Sequence, residues 1–177
     1  GENMKKVFII LISLLFNACA DAEFFGSDED IKNLKATNSC QKCDLRGANL
    51  RGIDLREANL SQADLSRADL SRAELQKANL TEAILNRTTM ANADLSMSTL
   101  MKANMNEVNL DKANLRGANL SNVKLTVARL TDAGLTEVVL SKADLRWADL
   151  TRADLTRAEF KGANLGMAHL FRANLTE

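Results

Sequence analysis

The chain has 177 residues, of which 46% are hydrophobic and 4% aromatic, with no proline and no tyrosine. Lysine plus arginine balances aspartate plus glutamate at 23 each, which excludes a strongly basic nucleic-acid binder and disfavours a strongly acidic surface. The single histidine, His169, excludes the usual multi-histidine metal sites and disfavours a histidine-dependent hydrolase. The core must therefore be aliphatic, and the composition favours a protein that is not an enzyme.

The first residues have the composition of an export signal. Gly1–Asn3 precede the first methionine and are interpreted as a vector remnant or upstream sequence. Lys5 and Lys6 are followed by the apolar stretch 7–16. This stretch is too short to cross a bilayer, since a membrane-spanning helix needs roughly 20 apolar residues.

Small residues after the apolar stretch give two overlapping A-x-A patterns, which place cleavage after Ala20 or Ala22. Residues 1–22 are therefore predicted to contain a cleavable signal peptide, so that the mature chain lies in a periplasm or, in a cyanobacterium, a thylakoid lumen. One alternative is a buried strand or helix of a cytosolic protein. Another is a lipoprotein acylated on Cys19, which Asn17 disfavours because that position usually holds a small or apolar residue.

Residues 23–39 are predicted to form a short helix that caps the amino end of the following domain. Ser27 is a typical N-cap, and the three acids after it suit the positive end of the helix dipole. Ile31 and Leu34 share one face, with Phe24–Phe25 nearby. The three acids are interpreted as a solvated first turn and not as metal ligands.

A five-residue repeat runs from Cys43 to Glu177. The repeat has 27 central positions between Leu45 and Leu175, and leucine occupies 24 of them. Two residues before the centre, alanine occupies 20 of 27 positions. Aspartate or asparagine usually precedes the centre, and two polar residues follow it.

A period of five fits neither a continuous helix nor a continuous strand. On a helix, successive leucines would be about 140° apart and would spread around the whole cylinder. On a strand, an odd step would send alternate leucines to opposite faces. If each unit is extended over its alanine and leucine and turns at its polar pair, however, every alanine and leucine points inward. If the coil has four sides, four such units make one turn of it.

The units Ala48–Gly52, Ala63–Arg67 and Ala153–Arg157 resemble the A-[DN]-L-x-x signature of pentapeptide-repeat proteins. The resemblance covers residues 43–177 without an insertion. It implies an all-β fold, the right-handed quadrilateral parallel β-helix, for residues 40–177. With four units to a coil, the 27 units make 6.75 coils (27/4).

Cys40 lies in phase as a centre, and Cys43 takes the inward position that alanine usually fills. Redox chemistry at a Cys-x-x-Cys pair depends on a helix amino terminus, and zinc would need two further ligands. The sequence offers neither nearby. We therefore predict a structural disulfide that ties the cap to the first coil; the alternative is a pair of buried free thiols.

Five outward residues form a candidate interface near the carboxyl end. Three of them recur at every fourth unit, and the other two lie on the neighbouring side of the last coil: Val127, Trp147, Met167, His169 and Phe171. The alternative is that these residues merely tolerate exposure, and His169 by itself is interpreted as a surface residue. The repeat runs to the last residues without a predicted cap, so end-to-end homodimerisation is expected, as in some members of the family.

The sequence therefore predicts an exported, non-catalytic structural or protein-interaction rod without cofactor, metal or nucleic acid, and with membrane contact only if Cys19 is lipidated. The alternative that the resemblance suggests is a topoisomerase-binding (gyrase-protecting) protein whose acidic β-helix mimics DNA. Residues 43–177 contain 17 acids and 18 bases. This balance and the export signal both disfavour DNA mimicry.

Overall fold

A computed structural model describes residues 26–177. The predicted signal peptide, the candidate lipidation site Cys19 and the pair Phe24–Phe25 lie outside the described residues. The only helix within residues 26–177 is α1 (Asp28–Thr37), and nothing in that range has the length and apolar character of a membrane-crossing helix.

The rest of the described chain winds into a coil in which each turn is made of four repeat units. Single parallel β-bridges join each bridged residue to its equivalent in the next coil, from Ser39↔Asn59 at the amino end to Asp154↔Asn174 at the carboxyl end. The bridged residue is always the one before a centre, so each strand is a one-residue bridge and not a longer ladder. This confirms the predicted parallel β-helix with four five-residue sides per coil.

Backbone hydrogen bonds between successive coils run in both directions. The N–H of Leu45 donates to the carbonyl of Asp64 in the next coil, at 2.8 Å. The N–H of Asp64 donates back to the carbonyl of Cys43 in the first coil, at 2.9 Å. Because each coil satisfies the polar groups of its neighbours, the stack is stabilised through nearest-neighbour contacts.

The corners require a left-handed backbone at the second polar residue of nearly every unit. Most of these residues are not glycine; Arg67 and Lys112, for example, both have φ of 60°. A left-handed conformation costs a non-glycine residue roughly 1–2 kcal/mol. The inter-coil hydrogen bonds, the N–H of Arg67 to Asn86 among them, offset that cost.

The core is the aliphatic column predicted from the repeat. Leucine centres from Leu45 to Leu155 are at most 1% exposed, and the inward alanines fill the space between them. Two inward positions hold hydroxyl side chains, and both donate to backbone carbonyls: Thr88 to Leu65 at 2.7 Å and Ser98 to Leu95 at 2.6 Å. Polar residues are therefore tolerated inside only where a carbonyl accepts their proton.

Helix α1 begins and ends with recognisable caps and covers the first coil. The Ser27 hydroxyl accepts the Asp30 N–H at 3.2 Å, and Asn38 closes the other end in a left-handed conformation with φ of 53°. Leu34 is 1% exposed and belongs to the same core cluster as the leucine centres. The helix thus extends the apolar core over the open end of the coil.

The segment around α1 also supplies hydrogen bonds that a preceding coil would otherwise make. Gly26 and Ser27 donate their N–H groups to the carbonyls of Arg46 and Asp44, at 2.5 and 2.8 Å. The carboxylate of Asp30 accepts the N–H of Asp44 at 2.9 Å. The cap therefore covers a strand edge that would otherwise be open to association.

Candidate functional site

An apolar corner lies on the outside of the carboxyl-terminal half. Val127, Trp147 and Met167 occupy the same corner on three successive coils, and their exposed fractions are 55%, 58% and 64%. We call these three residues the apolar corner. Elsewhere the same corner carries polar residues such as Arg87 and Glu107.

The local backbone does not favour these side chains. All three residues are left-handed, and the φ of Val127 is 58°. A β-branched residue is especially disfavoured in this conformation, whereas glycine, which fills the position at Gly47 and Gly117, is not. The presence of valine there is not explained by folding, and it favours a role in contact with another molecule.

The last coil continues this apolar surface. Phe171 is 66% exposed, and the guanidinium of Arg172 lies 5.2 Å from the centroid of its ring. His169 is exposed and bridged through its backbone to Asp149. Met167, His169 and Phe171 of the predicted interface therefore lie in the last coil, and Trp147 and Val127 lie one and two coils before it.

Among the described residues, nothing packs against the carboxyl face of the final coil, residues 158–177. Leu175 is 52% exposed, whereas Leu155, one coil earlier, is 1% exposed. The N–H groups of Phe160, Leu165 and Leu170 have no acceptor within the part of the chain that the structure describes. This edge therefore presents both apolar side chains and free backbone donors.

Charged side chains on the outer surface form ion pairs between coils. Arg152 donates to Asp132, in the preceding coil, through Nε and Nη2 at 2.6 Å each. Arg87 makes the same bidentate contact with Glu107, in the following coil, at 2.8 and 3.1 Å. Such exposed pairs contribute about 0–1 kcal/mol each, so their main consequence is that acidic and basic charges cancel along the surface.

Aspartates before the centres also hold the corners. The Asp154 carboxylate accepts both the N–H and the hydroxyl of Thr156, at 3.1 and 2.6 Å, and these bonds lower its pKa. Hydrogen bonds from Arg56 lower the pKa of Asp54 to about 2. The ionised form is therefore favoured in the folded state.

The pKa of Asp154 leads to an expected loss of stability in acid. Because the folded-state pKa lies below the unfolded value near 3.9, stability is complete above that value and is lost as the pH falls through the folded-state pKa. We expect the melting temperature to be flat above about pH 5 and to fall between about pH 4 and pH 2. Asp154→Asn keeps an acceptor oxygen and should make that fall smaller without lowering stability at neutral pH, while other aspartates such as Asp54 still contribute to it. Identical acid profiles for the variant and the unchanged protein would contradict this interpretation.

Cys40 and Cys43 form a disulfide in the structure, with a Cα–Cα distance of 5.3 Å. The expectation that this bond ties the cap to the coil was wrong, because both cysteines lie in the coil itself, on either side of its first corner. Contact with the cap is instead noncovalent. The sulfur of Cys40 lies 3.3 Å from the backbone oxygen of Asp30 in α1.

Helix α1 lies closer to Cys40 and Cys43 than the sequence predicts. The sequence offered no helix amino terminus and no further ligand nearby, yet the first turn of α1 packs directly on the pair. A carboxylate oxygen of Asp30 and the sulfurs of Cys40 and Cys43 all lie within 4.8 Å of one another. Asp30 is therefore not part of a solvated first turn; sequence spacing missed it because the helix folds back over the coil.

The disulfide can be tested by mass. Reduction of the folded protein is expected to raise its mass by about 2 Da, from the two hydrogens that a disulfide takes up. Alkylation after denaturation should then label both Cys40 and Cys43, whereas alkylation without reduction should label neither. Labelling of both thiols before reduction would show free cysteines instead.

The family model described as Pentapeptide repeats (8 copies) matches residues 39–76 and 68–106, and the model described as Pentapeptide repeat region matches residues 93–170. A search of curated proteins gave no significant match.

Solved structures of several repeat proteins are similar to the chain. HetL, a pentapeptide repeat protein involved in heterocyst differentiation regulation from the cyanobacterium Nostoc sp. strain PCC 7120, is 30% identical over 76% of this chain and 84% of its own, with a TM-score of 0.27. AT2G44920, from the thylakoid lumen of Arabidopsis thaliana, is 29% identical over 67% and 65%, with a TM-score of 0.36. A trypsin-treated form of QnrB1, a plasmid-mediated fluoroquinolone resistance protein, is 18% identical over 62% and 75%, with a TM-score of 0.34.

Proposed function

This chain belongs to the pentapeptide-repeat family, whose fold is a right-handed β-helix, and from that premise we propose that it is an exported, non-catalytic interaction rod. The observation that carries the proposal is the apolar surface of the carboxyl-terminal half. A rigid coil with a paired-charge wall and one exposed apolar side is suited to binding another protein.

The occupant we assign to the open carboxyl face is a second copy of this chain. The outer edge of residues 158–177 carries free N–H groups at its centres, such as Leu165, and acceptor carbonyls two residues earlier, such as Ala163. Because every side offers both donors and acceptors, the edge is self-complementary under a two-fold axis. Leu170 and Leu175 would then be buried against their counterparts.

The charge distribution supports a protein partner over DNA mimicry. Cross-coil pairs such as Arg152–Asp132 and Arg87–Glu107 neutralise the acids of the wall, whereas a surrogate for duplex DNA needs an uncompensated negative surface. A topoisomerase-protection assay tests the alternative directly, and protection of the enzyme by this chain would contradict the proposal.

Self-association can be measured by sedimentation velocity. The chain is expected to sediment as a dimer that dissociates on dilution, and Leu175→Asp is expected to give a monomer with an unchanged circular-dichroism spectrum. Met97→Asp is the matched control, since Met97 is 62% exposed on a coil remote from the end. A monomer at all concentrations, or an equal effect of both variants, would contradict the end-to-end contact.

Export rests on the sequence of residues 1–22 and is tested separately. The chain produced in its own host should be recovered outside the cytoplasm, with an amino terminus that begins after Ala20 or Ala22. A diacylated Cys19 as the first residue would indicate a lipoprotein instead. An unprocessed cytoplasmic chain would contradict export while leaving the dimer test unaffected.

A further inference from the structure

The contact between α1 and the first coil brings together three groups that bind metals. They are the sulfur atoms of Cys40 and Cys43 and a carboxylate oxygen of Asp30, all within 4.8 Å of one another. Thiolate sulfur and carboxylate oxygen are both common ligands of Zn²⁺, and three protein ligands with one open position is a familiar arrangement. The disulfide in the structure occupies both sulfurs.

We propose that reduction of the Cys40–Cys43 disulfide converts this cluster into a site for a divalent d-block cation of the Zn²⁺ type. The reduced cysteines and Asp30 would supply three ligands, and water the fourth. The cluster would thus have two alternative forms. In the oxidised form a disulfide joins the two cysteines, and in the reduced form the metal bridges them. This inference does not depend on the proposed function.

The chemistry balances with a dithiol as the reductant. The dithiol transfers two electrons and two protons to the protein disulfide and becomes a cyclic disulfide, which leaves thiols on Cys40 and Cys43. Binding of the cation then displaces both thiol protons into solvent, because only thiolates act as ligands. The formal charge of two thiolates and one carboxylate is −3, so a divalent cation neutralises most of it.

The distances among the two sulfurs and the Asp30 oxygen are compatible with the change from a disulfide to a metal site. In a tetrahedral zinc site the ligand atoms lie about 3.5–3.8 Å apart, as follows from metal–ligand bonds of about 2.0–2.3 Å. The sulfurs must separate once their bond is broken, and the carboxylate must approach by little more than about 1 Å. The Cys40 and Cys43 backbones are held by the coil: the N–H of Cys40 donates to Asn59, and the carbonyl of Cys43 accepts from Asp64.

Asp30 is also held in place for this role. One of its oxygens, Oδ2, accepts the N–H of Asp44 at 2.9 Å, which orients the carboxylate toward the coil and leaves Oδ1 for the cation. Cys40 is 3% exposed, whereas Cys43 and Asp30 are half-buried. The cation would therefore enter past Cys43 and Asp30, and its fourth position would face solvent.

The site can be tested by titration of the reduced full chain with Co²⁺, a spectroscopic substitute for Zn²⁺. All proteins carry Cys19→Ser, so that no third cysteine contributes. After reduction with a phosphine under anaerobic conditions, we expect one Co²⁺ per chain, a thiolate-to-cobalt charge-transfer band, and loss of that band when Zn²⁺ is added. The oxidised form of the same protein should give no band, which is a control that needs no substitution.

Asp30→Asn distinguishes the three-ligand site from a site made by the thiols alone. Asparagine keeps an oxygen that can accept the Asp44 N–H but is a much weaker ligand, so cobalt affinity should fall at least about tenfold. Asp28→Asn removes the same charge from an exposed position in the same helical turn and should leave the affinity unchanged. No charge-transfer band with the reduced chain, a band with Cys43→Ser, or equal affinities for Asp30→Asn and Asp28→Asn would each overturn the proposal.

Discussion

Leu115→Asp is expected to unfold the middle of the β-helix. Leu115 is 0% exposed and lies between the buried centres Leu95 and Leu135 of the adjacent coils. Its replacement removes on the order of 2 kcal/mol of apolar burial and leaves a carboxylate in a dry column, which costs several kcal/mol more. Since a domain of this kind is stable by roughly 5–15 kcal/mol, the loss is a large fraction of the total.

Two control variants show whether the destabilisation by Leu115→Asp comes from the buried position or from the loss of leucine itself. Asn119→Asp introduces the same carboxylate at an outward position, where the side chain would still accept the N–H and hydroxyl of Ser121, and it should leave the melt unchanged. Leu115→Met conserves volume and should cost less than about 1.5 kcal/mol, since Met90 and Met105 already fill equivalent positions. A circular-dichroism melt of Leu115→Asp that matches the unchanged protein would exclude the buried-column structure.

Gly26→Ala is expected to lift the cap from the first coil. A Cβ at this position would lie 2.4 Å from the carbonyl oxygen of Asp44 and 2.7 Å from the backbone nitrogen of Arg46. Both are backbone atoms of the coil edge, so neither can move aside cheaply. Loss of the cap's hydrogen bonds to this edge should lower the free energy of unfolding by on the order of 2–4 kcal/mol.

Gly134→Ala is the matched control for the cap variant. A Cβ at Gly134 would meet its nearest neighbour, the side-chain oxygen of Asn114, at an ordinary 3.7 Å. This substitution should be neutral or slightly stabilising, because alanine restricts the unfolded chain. Hydrogen exchange locates the effect: the Asp44 N–H should exchange faster in Gly26→Ala and at its original rate in Gly134→Ala. Equal exchange rates of the Asp44 N–H in both variants would show that Gly26 is not needed to hold the cap on the first coil.

The open edge and the cysteine cluster lie at opposite ends of the same rod. At the carboxyl end an open edge and an apolar side favour association with a second copy. At the amino end, the cap covers the equivalent edge, and its Asp30 lies beside Cys40 and Cys43. Variants at Leu175 and Asp30 should therefore act independently, since they lie at opposite ends of the coil.

The sequence predicts most of the fold because every five-residue unit carries the same hydrophobic pattern. Leucines such as Leu65 and Leu115 recur in every unit, and a coil of extended units buries all of them, with four units to a coil as the family resemblance implies. The interval of four units also predicts which outward residues share a corner, as for Val127, Trp147 and Met167. The placement of these residues can be predicted from the repeat alone, because the contacts between neighbouring coils recur at the same interval of four units.

The sequence predicts the short capping helix, but only the tertiary structure shows how that helix contacts the first coil. The period says nothing about how α1 turns back over the first coil, so the contacts of Gly26, Asp30 and Leu34 with that coil could not be read from their spacing. The same contact places a carboxylate beside Cys40 and Cys43, although Asp30 lies well before both of them along the chain. The fold of the rod follows from the sequence because its hydrophobic pattern repeats. The position of the cap on the first coil and the cysteine cluster beneath it follow only from packing, because each of those contacts occurs once.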